Sequence, residues 1–299
     1  MCKIVQLVII MLISCFWAER ADAQNVSLDE TIAADSVSAD IQVLSEFEIL
    51  MTTMSDLMHK AEASTEITEK EELSGIFKTL LFEELKKEGS FDLSFDTIPH
   101  VAQLVSNDGL VRIFSWVIPT QKRGIFNYHC IIQHRMNKAT KISDVFVLED
   151  TKNRIVLPEH EILKYPNWYG CLYYQMVEKI DGKNVYYTLI GHDFNDGITN
   201  KKCVDVLTFD KYANPVFGAS IFLLGKKPQC RALFEYSAQS TMKLAYFNDI
   251  DKIVYNYLHP ITKEKENDRR YYVPDISYEG LMFKLGKWIK VPNVEMIIK

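Results

Sequence analysis

From about residue 98 onward, the chain is a series of short runs of β-branched and aromatic residues separated by turn residues. The runs recur about every 10 to 15 residues, which is typical of strands joined by tight turns. No helical pattern lies between them, whereas parallel strands need crossover connections of about a dozen residues or more. The sequence therefore predicts antiparallel sheets. Left-handed backbone is expected at Asn107-Asp108-Gly109, Asp181-Gly182, Asn195-Asp196-Gly197, Glu279-Gly280 and Leu285-Gly286.

The clearest unit is a hairpin in which residues 168–180 and 183–193 form two long strands around Asp181-Gly182, predicted as a type I′ loop. A single further run is expected over residues 215–223 and another over 281–291. No internal repeat is clean enough to define propeller blades. A curled sheet, a barrel-like sheet and a propeller-like arrangement all remain open.

Before residue 98 the apolar residues follow helical spacing instead. A Met-rich stripe predicts a helix over about Asp40 to Ala61, and its methionines are expected in the core rather than in a partner groove. A second helix is expected to begin at a capping box of Thr68 and Glu71 and to close at Gly89. The predicted fold class is therefore α+β. Its parts are a signal peptide (1–23), a flexible lead-in (24–39), a helical hairpin (40–98) and an antiparallel β domain (99–299).

The N-terminus has the layout of a secretory signal peptide. Lys3 precedes an uncharged apolar run, and Ala21 and Ala23 supply the small residues that a signal peptidase requires, so the mature chain is expected to begin at Gln24. Within the same run, Leu12-Ile13-Ser14-Cys15 has the order of a bacterial lipobox, and cleavage before Cys15 would leave a lipid tether instead. Either route predicts an exported protein of the periplasm or cell surface, or a secreted one. No further run is long enough to span a membrane.

Cys130, Cys171, Cys203 and Cys230 remain in the mature chain, in a compartment that permits disulfides. Four cysteines allow three pairings, and the spacing selects none of them. Burial as small apolar residues is an equally good interpretation, because each cysteine lies in a strand-like run.

Five sets of aromatic and glycine-containing motifs occur between residues 108 and 281. They are Asp108-Gly109 with Arg112-Ile113-Phe114-Ser115-Trp116, Trp168-Tyr169-Gly170 with Leu172-Tyr173-Tyr174, Pro215-Val216-Phe217-Gly218, Phe234-Glu235-Tyr236-Ser237 and Pro274-Asp275-Ile276-Ser277-Tyr278-Glu279-Gly280-Leu281. These motifs resemble those of a group of exported proteins of Bacteroidetes bacteria. The resemblance extends from about residue 68 to residue 291, supports export, and assigns no ligand or catalytic residue.

Composition and motifs exclude several function classes. The formal charge of −6 gives no field that attracts nucleic acid. The chain has no P-loop, dinucleotide fingerprint, His-Glu-x-x-His helix or Gly-x-Ser-x-Gly elbow, so no cofactor is predicted. Glu159-His160-Glu161 is not expected to bind a metal, because adjacent side chains point apart. His129 and His134 fall on opposite faces of a strand, and His192 is expected to be structural. The segment 193–197 fails the calcium-loop spacing and predicts a turn.

Tyrosine is the most unusual feature, since all 15 lie between Tyr128 and Tyr278. Adjacent tyrosines on a strand that is buried on one side place one ring outside, and exposed rings with a polar tip suit sugar stacking or a protein interface. The leading hypothesis is a non-catalytic envelope or surface module that binds a glycan or an envelope protein. The alternative is an envelope hydrolase whose carboxylates Asp193, Asp196, Glu235 or Asp275 converge only in the folded chain. The candidate binding residues are Trp168, Tyr169, Tyr173, Tyr187, Tyr271 and Tyr272.

Overall fold

The computed structural model describes residues 34–122 and 124–295, with side chains from residue 46 onward. The predicted signal peptide, Ala21, Ala23, Cys15 and most of the predicted lead-in lie outside the described residues. The chain divides into two compact units, Met1–Ile49 and Leu50–Lys299. In the first unit, the described residues belong to one helix. None of the helices that the structure describes is long and apolar enough to cross a membrane.

Two helices precede the strands, as predicted: α1 spans Ala34–Ala63 and α2 spans Ile67–Leu85. Helix α1 begins within the segment predicted as flexible, so that boundary is wrong. The capping box at Thr68 is also wrong, because α2 begins one residue earlier, after the N-cap Glu66. Lys70 instead joins the helices by donating from its ammonium group to the carbonyl oxygens of Ala61 at 2.7 Å and Glu62 at 2.9 Å. The predicted core role of the Met stripe is confirmed, because Met51, Met54 and Met58 are buried.

A four-stranded antiparallel sheet follows, in the order β1-β2-β3-β4. Alternate residues of β2 face the helices, where Trp116 packs edge-on against Phe77 at 5.1 Å and donates from Nε1 to Ser74 Oγ at 2.8 Å. The strands are β1 (Ala102–Val105), β2 (Val111–Pro119), β3 (Phe126–His134) and β4 (Asp144–Val147).

A buried polar network joins the end of α2 to this sheet. Arg112 donates to the carbonyl oxygens of Leu93 at 2.7 Å and Ser90 at 2.8 Å, and also to the side chain of Gln133. Gln133 in turn donates to the carbonyl oxygen of Leu85, the last residue of α2. A carbonyl at a helix end needs a partner outside the helix, and Gln133 supplies it. Helix α2 therefore ends at Leu85 rather than at Gly89. Burial lowers the pKa of Arg112 to about 10.

The second sheet has six strands in the order β6-β11-β10-β9-β8, with β13 also paired to β10. We call it the central sheet. Its strands are β6 (Leu163–Lys164), β8 (Leu172–Asp181), β9 (Asn184–Asp193), β10 (Thr199–Phe209), β11 (Pro215–Phe217) and β13 (Ala232–Ser237).

The third sheet has five strands in the order β12-β17-β16-β15-β14. All of its pairs are antiparallel except β12 with β17. A separate parallel pair joins β5 to β7. The remaining strands are β5 (Glu149–Asp150), β7 (Asn167–Trp168), β12 (Phe222–Leu223), β14 (Leu244–Phe247), β15 (Lys252–Pro260), β16 (Tyr272–Lys284) and β17 (Lys287–Val291). Short 3-10 helices span Ser90–Asp92, Lys152–Arg154, Lys263–Lys265 and Arg269–Tyr271.

The central sheet is buried on both faces. Leu189 and Cys203 belong to the core shared with the four-stranded sheet, whereas the neighbouring residues Ile190 and Val204 belong to the core shared with the third sheet. Successive side chains of a strand point to opposite faces, so both faces of β9 and β10 are covered. The second unit is thus built from stacked open sheets, with α2 packed on the outer face of the four-stranded one.

The predicted α+β fold is confirmed, and the predicted antiparallel pairing is found in every described strand pair except β12 with β17 and β5 with β7. Among the described residues, no sheet closes into a barrel or forms a propeller, so those two architectures are wrong. The predicted single run over residues 215–223 is divided at Gly218 between β11 and β12, which lie in different sheets. Gly218 has φ of 87°, and a Cβ there would lie 2.9 Å from Nη2 of Arg231, so both the backbone and the close packing require glycine.

The structure also differs from two of the predicted turns. The loop between β8 and β9 consists of Gly182 and Lys183, and only Gly182 has positive φ, so it lacks the second left-handed residue of a type I′ turn. Glu279-Gly280 is not a turn but the middle of β16, where a Cβ on Gly280 would lie 3.1 Å from the carbonyl oxygen of Ile253. Leu285-Gly286 is confirmed as a turn, since both residues have positive φ.

Candidate functional site

A cleft lies between β13 of the central sheet and strands β15 to β17 of the third sheet. Its volume is about 430 Å³, within the range of ligand sites. Apolar and aromatic side chains form part of its lining: Leu224, Leu233, Phe234, Tyr255, Tyr257 and Leu258. Polar groups and one proline complete it: Pro158, Glu159, Lys201, Glu235, Asn256, Arg269, Glu279 and Lys290.

A β-bulge in β15 forms one wall. The register with β16 shifts between Asn256 and Leu258, and the intervening residue, Tyr257, is 43% exposed. The buried Asn256 side chain fixes the bulge: it donates to the carbonyl oxygen of Asp275 at 2.9 Å and accepts from the amide of Lys243 at 2.8 Å. Bulges re-aim side chains, and this one holds a tyrosine at the cleft.

A buried ion pair fixes the opposite rim. Arg231 and Asp205 are both fully buried, with Nε of the arginine 3.0 Å from Oδ2 of the aspartate. The same guanidinium donates to the carbonyl oxygens of Pro158 and, at 3.0 Å, Glu161. The segment that carries Glu159 is therefore tied to the central sheet by hydrogen bonds that leave it little freedom.

The charges of the cleft are balanced. Its lining contains three glutamates and three basic residues. Lys290 pairs with Glu279 at 2.8 Å, and Lys201 lies 3.9 Å from Glu235. Burial raises the pKa of Tyr255, and the neighbouring Glu279 carboxylate raises it further. The cleft thus offers both donors and acceptors beside apolar surface, which suits a neutral ligand with amide or hydroxyl groups.

Of the four carboxylates predicted for a hydrolase, only Glu235 lines the cleft. Asp193 is fully buried elsewhere and accepts from Lys152 at 2.7 Å and from Tyr128 at 3.0 Å. Asp196 accepts from the amides of Ile198 and Thr199, as a turn residue does. Asp275 lines a second depression, which is separated from the cleft by Asn256.

The six predicted binding aromatics do not form an exposed face. Trp168, Tyr169, Tyr173, Tyr187 and Tyr272 are buried, and Tyr271 is half-buried. The polar tips of the five buried residues have partners inside the protein, such as Tyr173 Oη, which accepts from Trp168 Nε1 at 2.9 Å. The expected alternation is seen at Tyr173-Tyr174, but the outward ring is that of Tyr174, which is 39% exposed, and the predicted Tyr173 is the buried one.

The remaining candidate residues have structural positions. Cys130, Cys171, Cys203 and Cys230 are buried free thiols in the structure. His129 stacks on Trp116 at 5.1 Å, and His134 stacks on Phe209 at 3.8 Å. Glu161 caps its own loop by accepting from two amides. Within the part of the chain that the structure describes, no three metal-ligating side chains group together.

Sequence reasoning missed most of the cleft. It proposed Glu235 as a site residue but not Phe234, Tyr257, Glu279 or Lys290, because these residues come together from strands of two sheets that are distant in sequence. The bulge at Tyr257 could not be predicted, because the order of apolar and polar residues in β15 does not mark the position of a bulge.

Comparisons with protein-family models, with curated proteins and with solved structures found no match to this chain. The resemblance to exported Bacteroidetes proteins therefore stays a prediction.

Proposed function

We propose that this chain is an exported binding protein whose ligand occupies the cleft between β13 and the third sheet. The observation that carries the proposal is a cleft of about 430 Å³ that combines apolar surface with charges of both signs. A glycan and a peptide both match this chemistry, because each presents hydrogen-bonding groups beside apolar faces. This proposal keeps the binding role that the sequence suggested. It assigns that role to the cleft instead of to the predicted tyrosines, most of which are buried.

A hydrolase is the second candidate, because the three glutamates Glu159, Glu235 and Glu279 line one cleft. Hydrolysis by a carboxylate pair requires one group to stay protonated as an acid. Glu279 is paired with Lys290 at 2.8 Å and Glu235 lies 3.9 Å from Lys201, so both carboxylates already have a partner within the protein, which favours binding over hydrolysis. If the hydrolase is correct, Glu235→Gln and Glu279→Gln will each abolish turnover of oligosaccharide or peptide substrates.

Ligand binding is tested by a thermal-shift screen of the purified chain against oligosaccharides, peptides and divalent ions. A ligand that binds only the native state raises the Tm. We expect at least one compound to do so, and we expect Tyr257→Ala to remove most of the shift. Tyr212→Ala is the matched control, because Tyr212 is 73% exposed and does not line the cleft. An unchanged shift in Tyr257→Ala would place the ligand elsewhere.

Export is tested by the mass of the mature chain recovered from the producing cells. A chain that begins at Gln24 supports signal-peptidase cleavage after Ala23, and a diacylated chain that begins at Cys15 supports the lipid tether. An uncleaved chain in the cytoplasm contradicts both routes.

A further inference from the structure

One edge of the cleft is the outer edge of β13. This strand pairs with β10 on one side only, with Ser237 opposite Thr199 and Leu233 opposite Cys203. The amide of Ala238 donates to the carbonyl oxygen of Ile198 at 2.9 Å, which continues this register by one residue. In an antiparallel ladder, residues alternate between those bonded to the partner and those whose N–H and C=O point away. The even-numbered residues of β13 therefore bond to β10, and Leu233 and Glu235 direct their backbone groups away from it.

The pairing of β11 with β10 independently shows which residues of β10 direct their backbone groups toward this side. The amide of Gly218 donates to the carbonyl oxygen of Val206, so the even-numbered residues of β10 point to the side on which both β11 and β13 lie. Leu233, Phe234 and Glu235 all line the cleft, which thus runs along the outer edge of β13. Of the hydrogen bonds that residues 34–122 and 124–295 form outside helices and strands, none involves the backbone of Leu233 or Glu235, and no described strand pairs with β13 on this side.

We propose that the ligand of the cleft is an extended peptide that pairs with the outer edge of β13 as an added strand. The proposal rests on the proposed binding function and names its ligand class. Leu233 and Glu235 each offer one donor and one acceptor, so up to about four main-chain hydrogen bonds can form. A peptide repeats its amides at the two-residue spacing of this edge, whereas a sugar has no such repeat.

The side chains of the cleft define the pattern of the peptide. Successive residues of an added strand face opposite sides, as those of β13 do. One side presents Phe234, whose ring lies 4.4 Å from that of Tyr255, and favours an apolar residue. The other side presents Glu235 and Lys201 and favours a polar or charged residue. The preferred sequence alternates apolar and polar residues.

The test uses an array of synthetic octapeptides with alternating valine and charged or polar residues, followed by an N-methyl scan of the tightest binder. N-methylation removes one donor and blocks pairing on that side. We expect methylation at every second residue to weaken binding about tenfold or more, and methylation between them to change it less than about threefold. Binding that tolerates methylation at every position would overturn the proposal, and so would an array without any binder.

A pair of protein variants provides the matched control. Leu233→Pro removes the outward N–H and is compatible with an edge strand, whereas Leu233→Ala keeps the N–H and shortens the side chain. We expect Leu233→Pro to weaken peptide binding about tenfold beyond Leu233→Ala, with the Tm of both variants measured to establish folding. If no peptide binds but an oligosaccharide gives a Tm shift that Tyr257→Ala removes, the proposed function stands and the peptide proposal fails. If no probe responds to substitutions in the cleft, both fail.

Discussion

At the scale of single residues, Arg231 is the side chain on which the rim of the cleft most depends. It is fully buried, pairs with Asp205 and holds the carbonyl oxygens of Pro158 and Glu161. Arg231→Met would leave the Asp205 carboxylate buried without its partner, which costs about 3–5 kcal/mol of unfolding free energy. We expect urea unfolding to show this loss and Asp205→Asn to restore part of it in the double variant.

The exposed pair of Arg270 and Asp268 is the control for this prediction. Its members are 60% and 28% exposed, and solvent screens an ion pair of this kind, so it contributes little to stability. Arg270→Met should therefore leave the unfolding midpoint nearly unchanged. Equal losses in Arg231→Met and Arg270→Met would contradict the role given to the buried pair.

His129 makes stability depend on pH. Burial and the nearby Lys78 lower the pKa of His129 to about 4, below its ordinary value of 6.5. Unfolding exposes the ring, which then takes up a proton between these two pH values. The free energy of unfolding is therefore unaffected by His129 above about pH 6.5 and decreases as the pH falls toward 4, by roughly 3 kcal/mol in all. Urea unfolding at pH 4.5 and 7.0 should show a smaller difference in His129→Gln than in the unchanged protein or in the exposed control His160→Gln.

At the scale of elements, the side chain of Gln175 joins two sheets by forming hydrogen bonds with the backbone of an edge strand. Its Nε2 donates to the carbonyl oxygen of Tyr246 at 3.0 Å, and its Oε1 accepts from the amide of Tyr246 at 2.8 Å. Tyr246 lies on β14, the edge strand of the third sheet, so one side chain satisfies both groups of that exposed backbone. The central and third sheets are held together at this edge by hydrogen bonds as well as by their apolar core.

Gln175→Met tests this junction, because methionine keeps the length and loses both hydrogen bonds. We expect a loss of about 1–3 kcal/mol in unfolding free energy and faster hydrogen exchange at the amide of Tyr246. Gln239→Met, at an exposed position, is the control and should change neither. Unchanged exchange at Tyr246 would show that the side chain does not protect the edge.

Local patterns predicted the elements better than their connections. Helical spacing around Met54 and alternation around Asp181 depend only on neighbouring residues, so the helices and the hairpin were predictable from the sequence. The division at Gly218 and the extended backbone at Gly280 depend on contacts with Arg231 and Ile253, which are distant in sequence or belong to another strand. Such contacts leave no local signal, and a glycine in a strand looks like a glycine in a turn.

At the scale of the whole molecule, stacking of the sheets decides where the aromatic residues lie. Tyr173 and Tyr187 both face the core shared with the four-stranded sheet, whereas Tyr174, which points to the other face, is 39% exposed. The count of tyrosines was visible in the sequence, but the number of layers was not. The cleft lies between two of the layers, and a β-bulge in β15 places Tyr257 at it.

Ligand binding in the cleft is tested most directly by hydrogen exchange of the full chain. Exchange is measured with and without the array peptide or oligosaccharide that raises the Tm most. Ligand binding in the cleft should slow exchange in Ala232–Ser237 and around Tyr257, and leave the Gly182 turn unchanged. Slower exchange confined to other parts of the chain would contradict the assignment of the cleft as the binding site.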